Sequence, residues 1–288
     1  MLYSTLYEKE QIMTIDTSFI RKRVEKFEHL YVLFSPYTHL PYIECDDETF
    51  DDQIFIFTKE ENTQTFAKAY SGRKIQLQAL KIPQKMFPSF FTSLHQYGVT
   101  AVMLQEEGAP VRVPLLALAE KPDLEKLRND KVPMANPELQ LTGIYFMQEL
   151  RRQIERDQDE KKHLKELEEE MVHNLFRSRY IVAFDVSQVK GKWNPADRNS
   201  KAKQTMLRLK NGQILLPVFS DIGEFRRFAA NQKMPQTKMR LVPVPFDKLN
   251  AFMPKDAVGM AVNPAGFNLL LLSAQIERLK KLYPPQAE

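Results

Sequence analysis

Residues 54–67 read IFIFTKEENTQTFA, and residues 216–229 read LPVFSDIGEFRRFA. Aligned without a gap, the two segments place Phe57 on Phe219. Each begins with a short apolar run of β-branched and aromatic residues, which predicts a buried strand. Each then continues into a stretch with one apolar stripe, which predicts a helix. We therefore interpret the chain as two diverged copies of one strand-to-helix unit.

The junction between strand and helix is repeated as well. Thr58 and Ser220 stand where each predicted helix begins, and a hydroxyl side chain at that place is a typical N-cap. A second aromatic residue follows in each helix, at Phe66 and Phe228. The two copies are thus predicted to share both the start of the helix and the side chains that pack it on the strand.

The match extends to both sides of these segments. Residues 31–34 (YVLF) align with residues 180–183 (YIVA), and residues 99–103 (VTAVM) align with residues 258–262 (VGMAV). The predicted order in each copy is helix, two or three strands, helix, strand, short helix, strand pair, helix. This order predicts an α+β fold of two tandem repeats of a mixed-sheet module with flanking helices, joined by a long charged helix.

The long charged helix is predicted between the two copies. Residues 139–177 contain no proline, and their only glycine, Gly143, lies near the start. Residues 155–163 (ERDQDEKKH) are polar on every side, which is typical of a helix that crosses solvent between two modules. Two alternatives stay open: a bend in the middle, and a coiled-coil partner helix, although the polar gap interrupts the heptad seam.

Chain length and composition fit this division. With 288 residues we predict a first module at 1–136, a bridging helix at 137–178 and a second module at 179–288. Cys45 is the only cysteine, so no intrachain disulfide can form, and we predict a cytoplasmic protein. No secretory signal pattern and no apolar run of about 20 residues occurs, so we predict no membrane span.

Three short motifs in the second copy resemble the SseB-like family, which is named for enhanced serine sensitivity. They are LPVFS at 216–220, FRRFA at 225–229 and VNPAGFNL at 262–269. The resemblance covers residues 180–282 and, more weakly, residues 31–118. It implies an α+β fold, no established enzymatic activity and no catalytic residues to transfer to this chain.

The first copy departs from these motifs. Phe55 stands where the pattern has proline, and residues 105–108 (QEEG) replace Asn-Pro-x-Gly, so membership of this copy rests on the repeat. In the second copy Asn263-Pro-Ala-Gly266 fits a type I turn, with asparagine, proline and glycine at the first, second and fourth positions. We interpret it as a hairpin turn, with a recognition loop as the alternative.

The residues do not indicate a reaction. Neither GxxxxGK[ST] nor GxGxxG occurs, the five histidines form no HxxxH pair, and one cysteine cannot build a zinc site. Acidic neighbours at 46–48 are expected to raise the pKa of the Cys45 thiol and so to disfavour a nucleophilic thiolate. We therefore predict no catalytic residues, no metal and no cofactor. An unrecognised enzyme with a site between the modules is the alternative.

The net charge of +4 conceals a division along the chain. Residues 1–136 carry 16 Lys and Arg against 19 Asp and Glu, and residues 137–178 carry 7 against 10. Residues 179–288 carry 18 against 8, so the second copy is the basic one. A concentration of one charge attracts partners of the opposite charge over a long range.

Much of the positive charge lies in an insertion at residues 189–203 (VKGKWNPADRNSKAK), which contains five basic residues, one acid and the only tryptophan. An exposed indole and several cations can together bind an anionic partner. Two further cations, Arg208 and Lys210, align with acids of the first copy, Asp46 and Glu48. The predicted binding residues are Lys190, Lys192, Trp193, Arg198, Lys201, Lys203, Arg208 and Lys210.

We predict a non-catalytic adaptor that binds a protein partner through the basic second module. The partner's acidic surface could be the edge at residues 44–52 of another molecule or of the same chain. Weak nucleic-acid binding by the same module is the alternative, and it requires phosphate-contacting charges on one face. A loop that is merely solvated is the third interpretation.

Overall fold

The computed structural model describes residues 17–122, 134–191, 193–195, 201–235 and 238–284. They form an α+β protein, as predicted. Contacts divide the described residues into two compact units. The first contains residues up to 36 together with 40–122, and the second contains 37–39 together with the residues from 134 onward.

The first unit is built on one mixed sheet of seven strands, ordered β2-β1-β4-β6-β7, with β5 added on β1 and β3 on β4. Strands β4 and β6 run parallel, and the other pairs are antiparallel. Short 3₁₀ turns at Gln84–Met86 and His95–Tyr97 flank helix α3. The elements are α1 (Thr17–Val24), β1 (His29–Ser35), β2 (Leu40–Pro41), β3 (Glu44–Cys45), β4 (Asp52–Phe57), α2 (Glu60–Gly72), β5 (Gln78–Pro83), α3 (Phe87–Leu94), β6 (Ala101–Gln105), β7 (Val111–Pro114) and α4 (Leu115–Leu118).

The second unit has two smaller sheets, ordered β10-β11-β13-β14 and β12-β8-β9. A single antiparallel bridge between Ile181 and Phe219 connects β8 to the end of β11. A 3₁₀ segment, Phe246–Phe252, follows β12. The elements are α5 (Pro137–Leu150), α6 (Gln158–Arg177), β8 (Arg179–Asp185), β9 (Lys203–Gln204), β10 (Leu207–Arg208), β11 (Ile214–Val218), α7 (Ile222–Asn231), β12 (Met239–Pro245), β13 (Ala257–Val262), β14 (Leu269–Leu272) and α8 (Ser273–Leu282).

The aligned phenylalanines have similar surroundings in the two units. Phe57 and Phe219 are both fully buried at the end of the central strand. The ring of Phe57 lies 5.5 Å from that of Phe66, and the ring of Phe219 lies 5.2 Å from that of Phe228. Each aromatic pair therefore packs a helix onto the strand that precedes it, and such pairs stabilise beyond their buried area.

The backbone pairing corrects the alignment of the first strands by one residue. Tyr31 pairs with Phe57 in the first unit. In the second unit Ile181, and not Tyr180, takes the corresponding place beside Phe219. A one-residue shift exchanges the two faces of a strand. The sequence could not fix this register because both runs are apolar at successive positions and show no alternation.

The same one-residue correction applies to the parallel strand. Ile54 pairs with Val102, and Leu216 pairs with Met260. The separate alignment of residues 99–103 with residues 258–262 instead places Val102 on Ala261. Since parallel strands in the interior are buried on both faces, their apolar runs carry little information about register.

The predicted helix caps are wrong by one residue. Helix α2 begins after Lys59, whose side chain makes no capping hydrogen bond. Helix α7 begins after Asp221, whose carboxylate accepts a hydrogen bond from the backbone N–H of Glu224. A carboxylate caps the helix at least as well as a hydroxyl, because it also opposes the positive end of the helix dipole. Ser220, the predicted cap, makes other contacts.

The predicted single bridging helix is wrong, because residues 151–157 are not helical and separate α5 from α6. The two helices contact each other within the second unit, and Asn174 of α6 donates a hydrogen bond to Thr142 of α5 over 3.3 Å. Leu175 on α6 is fully buried. The segment predicted to cross solvent therefore contains the loop of a helical hairpin.

Two signals in the sequence account for the break. Asp157 and Glu160 form a capping box, in which each side chain accepts a hydrogen bond from the other's backbone N–H, at 2.9 and 3.2 Å. Arg156 donates hydrogen bonds to the carbonyls of Glu149 and Leu150 at the end of α5. Helix α5 therefore ends, and helix α6 begins, within the same short polar segment.

We expect Asp157→Ala to lower the free energy of unfolding of the second unit by about 1 kcal/mol, because it removes the cap that starts α6. Urea unfolding followed by the fluorescence of Trp193, the only tryptophan, would measure this loss. Gln158→Ala, at the exposed neighbouring position, is the control. Equal losses in both variants would contradict the capping role.

Candidate functional site

The predicted basic surface is described only in part. Lys192 and Arg198 lie outside the described residues. The remaining five cations of the predicted set are exposed: Lys190, Lys201, Lys203, Arg208 and Lys210. The charge on these side chains is therefore available to solvent and to a partner.

The exposure of Trp193 differs from the prediction, which was an exposed indole. Its side chain is half-buried, and its ring lies 5.0 Å from the ring of Phe184 on β8. Phe184 in turn lies 6.3 Å from Phe252. The indole is therefore packed on the second unit by aromatic contacts, and only part of its surface can meet a partner.

Lys203 and Trp193 both lie at the end of β8. Lys203 on β9 pairs in register with Asp185, the residue after Phe184. Hydrogen bonds from Ser187 lower the pKa of Asp185, and the charges of Lys238 and Lys203 lower it further. The structure thus adds Lys238 to the predicted set. Lys190 and Lys201 lie three and two residues along the chain from Trp193 and Lys203, respectively. We call Lys190, Trp193, Lys201, Lys203 and Lys238 the basic strip.

Arg208 and Lys210 belong to a different sheet edge. Arg208 pairs with Ile214 across the hairpin of β10 and β11, and its guanidinium lies 3.4 Å from the carbonyl of Gly212. The register also corrects the predicted charge reversal. Arg208 takes the place that Cys45 has in the first unit, where Cys45 pairs with Asp52, so it does not stand on Asp46.

A second candidate site, which the search for motifs missed, is a buried group of polar side chains in the second unit. It lies where the parallel strands β11 and β13 end and α7 begins, and open α/β sheets bind ligands at such carboxyl ends. Helix α5 contributes one side chain to it. We call this group the polar cluster, and its members are Gln140, Ser220, Asp221, Glu224 and Asn263.

Hydrogen bonds connect every member of the polar cluster. Asn263 donates from its amide to the hydroxyl of Ser220 over 2.8 Å and accepts from the Ser220 backbone N–H over 2.9 Å. The Ser220 hydroxyl donates to Asp221 over 2.9 Å. The side-chain nitrogen of Gln140 lies 3.0 Å from the Ser220 hydroxyl and 2.9 Å from carboxylate oxygens of both Asp221 and Glu224. Such a network is strongly stabilising only while all of its members are paired.

Glu224 is the buried charge of the polar cluster. Its side chain is fully buried, and it forms an ion pair with Arg227, one turn along α7. Burial raises the pKa of Glu224 to about 7; Arg227 and Gln140 oppose this effect, and the charge of Asp221 adds to it. Glu224 is therefore partly protonated near neutral pH, which is where a small change of environment alters its charge.

The Asn263-Pro-Ala-Gly266 segment forms the predicted turn, since the N–H of Gly266 donates to the carbonyl of Asn263 over 2.9 Å. It also has a second role. A Cβ atom on Gly266 would lie 2.7 Å from both carboxylate oxygens of Glu224. The glycine leaves room for the buried carboxylate, which approaches the backbone closely at this position.

Sequence reasoning could not have assembled the polar cluster. Gln140 is about 80 residues from its acceptors along the chain, and no spacing rule connects residues so far apart. A partial signal was available, because LPVFS ends at Ser220 and VNPAG contains both Asn263 and Gly266. The motifs that carry the family resemblance are thus the ones that build the cluster.

The remaining predictions concern the Cys45 thiol, metal binding and membrane-spanning helices. The pKa of the Cys45 thiol is raised, first by partial burial and then by neighbouring aspartates, beginning with Asp52, so the predicted direction is confirmed. Within the described ranges, no group of three or more His, Cys, Asp or Glu side chains is placed to hold a metal ion. No helix in the described part of the chain has both the length and the apolar character needed to cross a membrane.

Comparison with known families confirms the resemblance in the second copy. Residues 159–278 match the model of the SseB protein N-terminal domain. No curated protein matches the chain. The two tandem copies stay a prediction, since the match covers only the second.

Two solved structures align with this chain over most of their length, but their sequence identity and TM-score are low. Anabaena Tic22 (protein transport) is 7% identical, with 93% of this chain and 99% of that chain covered and a TM-score of 0.21. Tic22 from Plasmodium falciparum is 12% identical, with coverages of 91% and 96% and a TM-score of 0.21. At this TM-score the likeness carries no argument about fold or function.

We expect Glu224→Gln to flatten the pH dependence of stability. The folded-state pKa of about 7 lies above the usual glutamate value of 4.5, so the folded state holds the proton more tightly than the unfolded state. The contribution of Glu224 to stability is therefore fully present below about pH 4.5 and is lost, by a few kcal/mol, as the pH rises through about 7. Urea unfolding between pH 5 and 8, with the exposed Glu277→Gln as control, measures this slope. A slope retained in Glu224→Gln would contradict the assignment.

We expect Gly266→Ala to destabilise the second unit by about 1–3 kcal/mol, because the added methyl group overlaps the Glu224 carboxylate and burial prevents that carboxylate from moving away. Thermal unfolding followed by Trp193 fluorescence measures the change. Gly72→Ala, where nothing lies within 4 Å of the added Cβ, is the control. A melting temperature like that of the wild type would show that the carboxylate is free to shift.

Proposed function

We propose that the protein is a non-catalytic binding protein whose second unit engages an acidic protein surface through the basic strip. The observation that carries the proposal is the end of β8, where Lys203 and Lys238 flank Asp185 and Trp193 lies on a buried aromatic ring. Exposed ammonium groups beside a fixed aromatic side chain combine long-range attraction with contact area. The match of residues 159–278 to the SseB protein N-terminal domain is consistent with this role, since the resemblance implies no established enzymatic activity.

The charge of the second unit supports the same choice of partner. Residues 179–288 carry 18 Lys and Arg against 8 Asp and Glu, and the described lysines of the basic strip are exposed. Exposed lysines keep their hydration and are readily screened, so they favour fast association with an acidic surface more than a tight, dry interface. An adaptor that binds and releases partners in the cytoplasm requires such reversible contacts.

The first unit is proposed to be a diverged copy that retains the fold without this surface. The proposal is supported by the common order of strand pairing, with β4 parallel to β6 as β11 is to β13. The matching aromatic pairs, Phe57 with Phe66 and Phe219 with Phe228, support it as well. Residues 1–136 carry a net negative charge, so a direct role for this copy in binding an acidic partner is not expected.

The test is capture of partner proteins from nuclease-treated cell lysate by the full chain. We expect Lys190→Glu/Lys203→Glu to lower the amount of specifically captured acidic protein by about tenfold, because two exposed charge contacts become repulsive. Trp193 is left unchanged, since its packing on Phe184 makes its removal a test of stability as well as of binding.

Lys280→Glu/Lys281→Glu makes the same charge change on α8 of the same unit and is the matched control. Equal capture by the wild type and both variants would contradict the proposal. If capture requires untreated lysate, and the chain binds single-stranded DNA with a steep salt dependence, the basic strip binds nucleic acid instead.

A further inference from the structure

Strand β5 of the first unit lies at an edge of the sheet. It pairs with β1 along its whole length, and no other strand in the described part of the chain pairs with it. Residues 78–81 are exposed, and the exposed fraction of Leu80 is 46%. An edge strand presents backbone N–H and C=O groups with which a further strand can pair. The side of β5 that faces away from β1 is therefore a place where the sheet can be extended, and we call it the open edge.

The register shows which backbone groups of β5 point to the open edge. Strands β2 and β5 lie on opposite sides of β1, because Phe34 pairs with both. The carbonyl of Leu33 accepts a hydrogen bond from the N–H of Tyr42, just after β2, over 2.9 Å. The N–H and C=O of one residue point to the same side of an antiparallel strand, so Leu33 turns both groups away from β5. Its partner Ala79 therefore turns both of its groups away from β1, and so does Lys81, two residues later.

The open edge combines unpaired main-chain groups with an apolar side chain. Outside the strand ladders, none of the described residues forms a backbone hydrogen bond with Ala79 or Lys81. Leu80 lies between them, on the face of the sheet that also carries Ile82, which is buried. A strand added here would pair with the main chain and cover Leu80. Main-chain hydrogen bonds supply affinity in this mode of peptide binding, and alternate side chains supply specificity.

The corresponding edge of the second unit is blocked by a proline. Strand β12 pairs with β8, and Pro243 stands opposite Ile181. Both the N–H and the C=O of Ile181 are hydrogen-bonded to Phe219, so Pro243 lies on the outward side of β12. Ile181 corresponds to Tyr31, which pairs with Lys81. At these matching positions Lys81 has an N–H to donate and proline has none.

The charge along the open edge opposes pairing between two copies of β5. Residues 73–85 (RKIQLQALKIPQK) contain four basic residues and no acid. Two such edges paired with each other would bring like charges together, and a lysine on an edge strand is a typical means of preventing this self-pairing. The net negative charge of residues 1–136 in turn disfavours an acidic segment. An uncharged partner strand avoids both repulsions.

We propose that the open edge of β5 binds an extended segment of another protein, one that alternates apolar and uncharged polar residues, as a further strand of the seven-stranded sheet. The backbone of that segment pairs with Ala79 and Lys81, and one of its apolar side chains covers Leu80. The site belongs to the first unit and is separate from the basic strip. The inference therefore does not rest on the proposed function.

The test is isothermal titration calorimetry of the full chain with a synthetic strand. The probe is a heptapeptide of alternating threonine and valine, with both termini blocked and an N-methyl group on each valine. Only one of its edges can form hydrogen bonds, so it cannot assemble into fibres. We expect the wild-type chain to bind the probe and Lys81→Pro to bind it at least about tenfold more weakly, because proline removes the outward N–H and its ring meets the incoming strand.

Two controls separate the open edge from charge and from folding. Lys81→Ala removes the cation but keeps the N–H, so it should bind the probe like the wild type. A second peptide, N-methylated at every residue, has no edge that can donate hydrogen bonds and should bind none of the chains. Far-UV circular dichroism of each variant measures whether the fold is retained. The comparison of the two peptides on the wild-type chain needs no variant, so it decides the matter even where Lys81→Pro fails to fold.

Several results would overturn the proposal: binding of the probe to none of the chains, equal binding to the wild type and a folded Lys81→Pro chain, or equal binding of both peptides to the wild type. A loss in Lys81→Ala as large as that in Lys81→Pro would assign the binding to the cation and not to the edge. A wild-type chain that is dimeric, and that Lys81→Pro makes monomeric, would show that a second copy occupies the edge.

The probe also separates this proposal from the basic strip. Because it carries no charge, its binding should change little between low and high salt, and Lys190→Glu/Lys203→Glu should not affect it. Capture from lysate by the basic strip concerns the second unit, and Lys81→Pro should leave it unchanged. Either proposal can therefore fail while the other stands.

Discussion

The contact between the side-chain nitrogen of Gln140 and two buried carboxylates decides what can cover the carboxyl ends of β11 and β13. Without Gln140, the carboxylates of Asp221 and Glu224 would face each other with fewer donors, in a region that excludes water. Burying an unpaired charge is far more costly than exposing it. The second unit therefore requires α5, although that helix precedes the matched domain in the chain. The folded second unit therefore begins at α5, before the matched range, and the motifs alone do not mark where it begins.

The helical hairpin follows from the same requirement. For α5 to reach the carboxyl ends of β11 and β13 while α6 leads directly into β8, the chain must turn between the two helices. The capping box at Asp157 and Glu160 permits that turn, and Arg156 satisfies the carbonyls left at the end of α5. A straight helix over the same residues would leave the polar cluster uncovered.

The sequence predicted the helices and strands more reliably than the strand register and the contacts between distant segments. The α+β class and the aromatic pairs followed from local patterns, because a buried strand and an amphipathic helix each carry a recognisable period. Two strands were aligned one residue off, since Tyr180 and Ile181 are equally apolar and pairing alone decides between them. The polar cluster could not be predicted, because Gln140 meets its partners only after the whole unit has folded. On the surface, composition indicated the cations but not that Trp193 is packed on Phe184.

The first unit carries other side chains at the positions that align with the polar cluster. Phe57 and Phe219 correspond, so Lys59 takes the place of Asp221, and Asn62 takes the place of Glu224. Lys59 forms an exposed ion pair with Glu107 over 2.8 Å, and Asn62 donates to the carbonyl of Glu106 over 3.2 Å. Neither arrangement buries a carboxylate, so this unit has no need of a covering glutamine. Among these aligned positions, the buried carboxylate and the glutamine that covers it therefore belong to the second unit.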